Sequence, residues 1–165
     1  MARRVSMFAG FVLLLALAAG AAGGAASTTE HGASFTPKDL VWAPAPPALP
    51  RGAERAVLEG DPAKPGLFTY RLRLPDGYKV MPHWHSTVEH VTVLEGELHR
   101  GMGERFDTTG GWTLPVGGFT VTPAKMNHFI WTTGTTILQI HGEGPFDIHY
   151  VNPADDPRNA SAQPK

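Results

Sequence analysis

Residues 68–74 read FTYRLRL, with Phe68, Tyr70, Leu72 and Leu74 on one parity and Thr69, Arg71 and Arg73 on the other. A period of two places one set on each face of a pleated strand, so this segment is a strand with an apolar inner face and a polar outer face. The turn Pro75-Asp76-Gly77 closes it, and the same short-run-then-turn rhythm recurs downstream. Strands are expected near 56–59, 80–85, 90–94, 97–102, 112–114, 119–122, 128–132, 136–141 and 146–151, with Glu95-Gly96 as a turn and 103–111 as a loop. With 19 Gly and 15 Pro in 165 residues, and no convincing helix, the pattern fits an all-β sandwich or barrel. An apolar share of 42% is enough for a core.

The first residues read as an address. Arg3 and Arg4 precede the apolar run FAGFVLLLALAAGAA, and Gly24-Ala25-Ala26 before Ser27 suits a signal peptidase. Residues 1–26 are therefore expected to be a cleaved signal peptide that directs the chain to the periplasm or the exterior, with no stable membrane insertion after cleavage. Cleavage removes two arginines and no acids, moving the formal charge from −1 to −3. Such a charge offers no basic field for nucleic acid. The absence of cysteine excludes a disulfide scaffold, a thiolate metal site and a cysteine nucleophile. Residues 27–55 form an extended arm. The proline-rich VWAPAPPALP at 41–50 cannot be a helix or a central strand, and is expected as an edge strand against a partner subunit. Residues 56–152 are the barrel and 153–165 a loose tail.

The chemistry concentrates in one place. His83 and His85 flank Trp84, and in a strand i and i+2 share a face, so both imidazoles can meet one ion. Glu89 follows four residues later, on the same face if the strand runs on, and adds a carboxylate oxygen. His128, 43 residues after His85, can come opposite from another strand. Three imidazoles and one carboxylate suit Fe, Mn, Ni, Cu or Zn and suit Ca or Mg poorly.

The flanking residues resemble the cupin superfamily. Residues 77–96, GYKVMPHWHSTVEHVTVLEG, fit its first motif, G-x5-H-x-H-x3-E-x6-G, through Gly77, His83, His85, Glu89 and Gly96. Residues 117–128, GGFTVTPAKMNH, resemble the second, G-x5-P-x-G-x2-H-x3-N, through Gly117, Pro123 and His128. Lys125 stands where glycine is usual and Thr132 where asparagine is usual. The spacer between the motifs is 20 residues, as in compact microbial single-domain cupins. The resemblance implies a double-stranded β-helix of jelly-roll type, a divalent transition metal inside it, and a homodimer built through N-terminal strands.

Other residues are secondary. Gln139 and His141 alternate with Leu138 and Ile140 and could line the pocket as catalytic orienters or a proton relay if they face inward. His90 should point away from Glu89, while His99 and His149 read as surface residues and His31 as inert. Trp84, Trp131, Met81, Phe119, Phe129 and Ile130 read as core, some as an apolar cavity wall. Arg71 and Arg73 are expected on the solvated face. Cupins catalyse many reactions, so the resemblance leaves three functions in view. The first is a metal-dependent oxidoreductase of dioxygenase type acting on a small organic molecule. The others are a non-catalytic metal or ligand binder and a non-redox lyase or isomerase. No dinucleotide or P-loop motif is present.

Overall fold

A computed structural model of the protein describes residues 32–160. The expected signal peptide and His31 lie outside the described residues, as does the tail after Ala160. No helix among the described residues is long and apolar enough to cross a membrane. Among the described residues nine strands carry the fold: β1 (Ala43–Pro44), β2 (Glu54–Glu59), β3 (Gly66–Leu74), β4 (Lys79–Trp84), β5 (Glu89–Met102), β6 (Trp112–Leu114), β7 (Phe119–Thr122), β8 (His128–Gly144) and β9 (His149–Tyr150). The helical segments are single turns at Pro37–Asp39, Pro153–Asp155 and Pro157–Ala160.

Two long strands, β5 and β8, serve both layers of the barrel. Residues 89–93 of β5 pair with 138–142 of β8, and residues 97–102 pair with 128–133. The later half of β8 also pairs with β3, from Gly66↔Gly144 to Leu74↔Thr136, and β7 adds to Glu89–Thr92 on the far side. The earlier half of β8 pairs instead with β4, while β6 adds to Leu98–Arg100. Strands β2 and β1 extend the first layer and β9 extends the second. All these pairings are antiparallel, which is the jelly roll expected from the motifs.

This arrangement corrects the expected turn at Glu95-Gly96. Gly96 holds φ +73 within one continuous strand, and register shifts flank it between Val93 and Glu97. It is a bulge that bends β5 from one layer to the other. A Cβ at Gly96 would sit 2.4 Å from the Thr135 carbonyl oxygen, so no larger residue fits. Gly134, φ +70, occupies the corresponding part of β8, where two separate strands were expected.

The parity of 68–74 holds: Phe68, Tyr70, Leu72 and Leu74 are buried, and with Val91, Val93, Leu98, Leu138 and Ile140 they form the core. Arg71 and Arg73 lie outside, where Arg71 Nε donates to Gln139 Oε1 at 3.2 Å and Arg73 pairs with Glu54 at 2.6 Å. The proline-rich arm packs on its own barrel, with β1 at the edge of the sheet as expected. Ala43 and Pro44 pair with β2, Tyr78 donates to the Pro50 carbonyl, and Tyr150 donates to the Ala48 carbonyl at 2.8 Å.

Candidate metal centre

His83 on β4 and His128 on β8 are direct partners in the antiparallel register, which sets their ring centroids 4.2 Å apart. His85 shares the face of His83, as the alternation requires, and its ring lies 5.0 Å from His83 and 5.2 Å from His128. All three are buried, and one ring nitrogen from each lies within 4.8 Å of the others. Glu89 does not continue the same strand. β4 ends at Trp84, the chain turns through Ser86–Val88, and Glu89 opens β5 in the other layer. The turn is closed by Asp147, whose carboxylate accepts from the Ser86 N–H at 2.7 Å and the Ser86 hydroxyl at 2.6 Å. Glu89 thus faces the histidines across the barrel, 3.6 Å from His85 Nε2 and 3.5 Å from His128 Nε2.

Each imidazole is oriented by a backbone carbonyl. His83 Nδ1 donates to Met81 O at 2.7 Å, His128 Nδ1 to Met126 O at 3.0 Å, and His85 Nδ1 to Asp147 O. A carbonyl only accepts, so Nδ1 carries the proton and Nε2 presents its lone pair to the centre. Burial, reinforced by the neighbouring imidazoles, pushes His83 well below the usual imidazole value, and burial lowers His85. Burial opposes the charge on Glu89, but His85, His128 and His83 outweigh it and hold the carboxyl down to about 2. Two neutral donors and an anion are therefore in place at neutral pH. His85 Nε2 is buried with no hydrogen-bond partner, a state that costs free energy unless something accepts its lone pair. The donor set fits a divalent transition metal.

The two departures from the second motif have physical explanations. Lys125 holds φ 62 and donates its N–H to the His85 carbonyl at 2.8 Å, so a lysine adopts the left-handed turn usually given to glycine. That conformation costs a residue with a Cβ about 1–2 kcal/mol. Lys125→Gly is accordingly expected to stabilise the fold by about 0.5–1 kcal/mol, net of glycine's greater chain entropy, read as a raised melting temperature. Thr132 accepts from the Tyr78 N–H at 3.0 Å and donates to Pro75 O at 2.8 Å, stapling β8 to the 75–78 turn away from the ligands.

The centre opens into a cavity of about 340 Å³ whose walls include Leu72, Val91, Leu98, Ile130, Leu138 and Ile140. Pro46, Ala48 and Leu49 of the arm also line it. Gln139 and His141 do not line this cavity, so the inward facing on which a pocket role depended is not met. Leu138 and Ile140 take the inner face of β8; Gln139 is bonded to Arg71, and the His141 ring is stacked at 4.7 Å on His90. Phe119 is exposed on the outer face of β7, Phe129 is buried as expected, and Phe129 and Trp131 pack with Phe106 beside the main core cluster. His149 is exposed as expected, stacks on Trp84 at 4.0 Å and contacts the Asp147 carboxylate at 2.8 Å. His99 stacks on Trp131 at 5.0 Å.

The sequence reading passed over Arg100. It follows Leu98 at the same parity and lies on the cavity wall, where Nη2 donates to Thr122 Oγ1 at 2.9 Å. That shared parity was the available signal, but an arginine on a strand is ordinarily solvated.

No family model and no curated protein matches the sequence. Solved structures do match it. The polyketide cyclase RemF from Streptomyces resistomycificus is 16% identical over 81% of this chain and 95% of its own, with a TM-score of 0.61. An acetylacetone dioxygenase from Acinetobacter johnsonii is 18% identical over 73% of this chain and 78% of its own, with a TM-score of 0.56. An RmlC-like cupin from Shewanella frigidimarina is 17% identical over 67% of this chain and 87% of its own, with a TM-score of 0.51. With β5 and β8 shared between two antiparallel layers, this chain has the jelly-roll fold of the RmlC-like cupin.

Proposed function

We propose that His83, His85, Glu89 and His128 hold a divalent transition metal, and that the protein is a metal-dependent oxidoreductase of dioxygenase type acting on a small organic molecule. The observation that carries this reading is the convergence of three carbonyl-oriented histidines beside an ionised carboxylate, inside a cavity walled mostly by aliphatic side chains. An ion there supplies coordination positions left open by four protein ligands, together with redox chemistry if it is Fe, Mn, Ni or Cu. Carbonyl contacts hold the imidazoles in one tautomer, Glu89 supplies the compensating negative charge, and the aliphatic walls exclude water. The likeness to an acetylacetone dioxygenase supports this choice among cupin activities. Oxygen uptake by the iron-, manganese- or nickel-loaded protein, screened over diketones, diols and phenols with and without a carboxylate, tests it. Uptake that requires the metal and one of these substrates is expected. Metal bound one-to-one with no uptake across the screen overturns it.

The likeness to a polyketide cyclase favours a second reading, non-redox chemistry on the same scaffold, which predicts turnover with zinc as well as with iron. We also propose that the chain is exported, on its N-terminal pattern, and that it forms a homodimer, with exposed Phe119 and Val121 on the outer face of β7 in support.

A further inference from the structure

Among the described residues, Arg100 is the only lysine or arginine that the fold buries, at 8% exposure. It sits on β5 in the layer that carries His128, since Arg100 pairs with Ile130 and Met102 with His128, and its side chain reaches Thr122 of the other layer. One arm of the guanidinium is accounted for: Nη2 donates to Thr122 Oγ1, and Thr122 in turn donates to Glu89 Oε2 at 3.4 Å. Nε is buried and has no partner. A buried cation with an unmet N–H is costly, and a fork of parallel N–H groups matches the two oxygens of a carboxylate. The other charged groups on the cavity wall are Arg55, Arg158, Glu89 and Asp147. Glu89 is shared between the histidines and Arg100, Asp147 is committed to Ser86 and Arg158 to Asp156, so three arginines face two carboxylates on this wall and the balance is positive.

We propose that Arg100 is an anion-recognition residue, and that the small molecule this cavity takes carries a carboxylate on an apolar body. The carboxylate meets the Arg100 fork, and the body lies against Leu98, Leu138 and Ile140. The inference rests on the reading of this cavity as a small-molecule site and narrows its substrate class. It gives Arg100 a role distinct from propping Glu89 through Thr122, because a prop would not distinguish an anionic ligand from a neutral one of the same shape.

The test compares benzoate with benzamide, its uncharged near-isostere, by calorimetric titration of the full chain near neutral pH. The titration is run on metal-free protein and on zinc-loaded protein. Zinc is redox-inert, so the readout is binding alone, and zinc content is measured alongside. The expected result is benzoate binding about tenfold or more tighter than benzamide in the metal-free protein. Arg100→Met is expected to erase that preference, while Arg100→Lys, which keeps the charge without the fork, retains part of it. Equal affinities in the metal-free wild type, no benzoate binding there, or an undiminished preference in Arg100→Met overturn the proposal. If Arg100→Met fails to fold, the wild-type comparison and Arg100→Lys decide it. Zinc bound without benzoate preference sinks the anion site and spares the metal centre; benzoate preference without zinc does the reverse.

Discussion

Phe68→Ala is expected to lower the free energy of unfolding by about 3–5 kcal/mol, the range for truncating a buried phenylalanine. Phe68 is 1% exposed, and its ring stacks on Tyr70 at 5.5 Å and meets Phe146 at 5.2 Å. Phe146 in turn stacks on the His85 imidazole at 4.4 Å. Loss of the Phe68 ring therefore opens a cavity in the core and removes one wall of the packing that holds His85. Urea unfolding should show the stability loss, and metal titration of the folded variant should show weakened binding. A loss under 1 kcal/mol, on the order of a surface substitution, would mean that this aromatic row is not part of the core.

His128→Ala is expected to weaken metal binding by more than about 100-fold, since groups that merely support a ligand are already worth about 10–100-fold. The variant should keep its strands, because the pairing of His128 with His83 and Met102 is made by backbone. Competition with a chromogenic chelator gives the affinity, and far-ultraviolet circular dichroism checks the fold. Wild-type affinity in a folded variant would remove His128 from the ligand set. Glu89→Gln separates charge from shape: it keeps the side chain's size but removes the anion beside His85 and His128.

Much of this was legible in the sequence because it depends on period two alone. The alternation at 68–74 named four core residues, and His83 and His85 share a face for the same reason. What escaped depends on where that period is broken or crosses between layers. Glu95-Gly96 has the composition of a turn, and nothing local says that the chain continues as a bulged strand paired to β8 on both sides of it. Glu89 would share the His83–His85 face only if that strand ran on; instead it reaches the centre from the opposite layer after a turn closed by Asp147, sixty-odd residues away in sequence. The facing of Gln139 and His141 was left open by the sequence, and burial of Leu138 and Ile140 fixes it outward. Lys125 shows the converse: a departure from the motif that leaves its geometry intact, because the backbone adopts the left-handed turn regardless. Arg100 could be found only by combining parity with burial, which requires the fold.

The central claim is that one reactive metal ion sits on His83, His85, Glu89 and His128. Elemental analysis of the protein purified from its own organism, without added metal, tests this most directly. The account predicts close to one iron, manganese, nickel or copper ion per chain, retained through dialysis and lost on exhaustive chelation. Protein that carries no metal and takes up none on titration would contradict it.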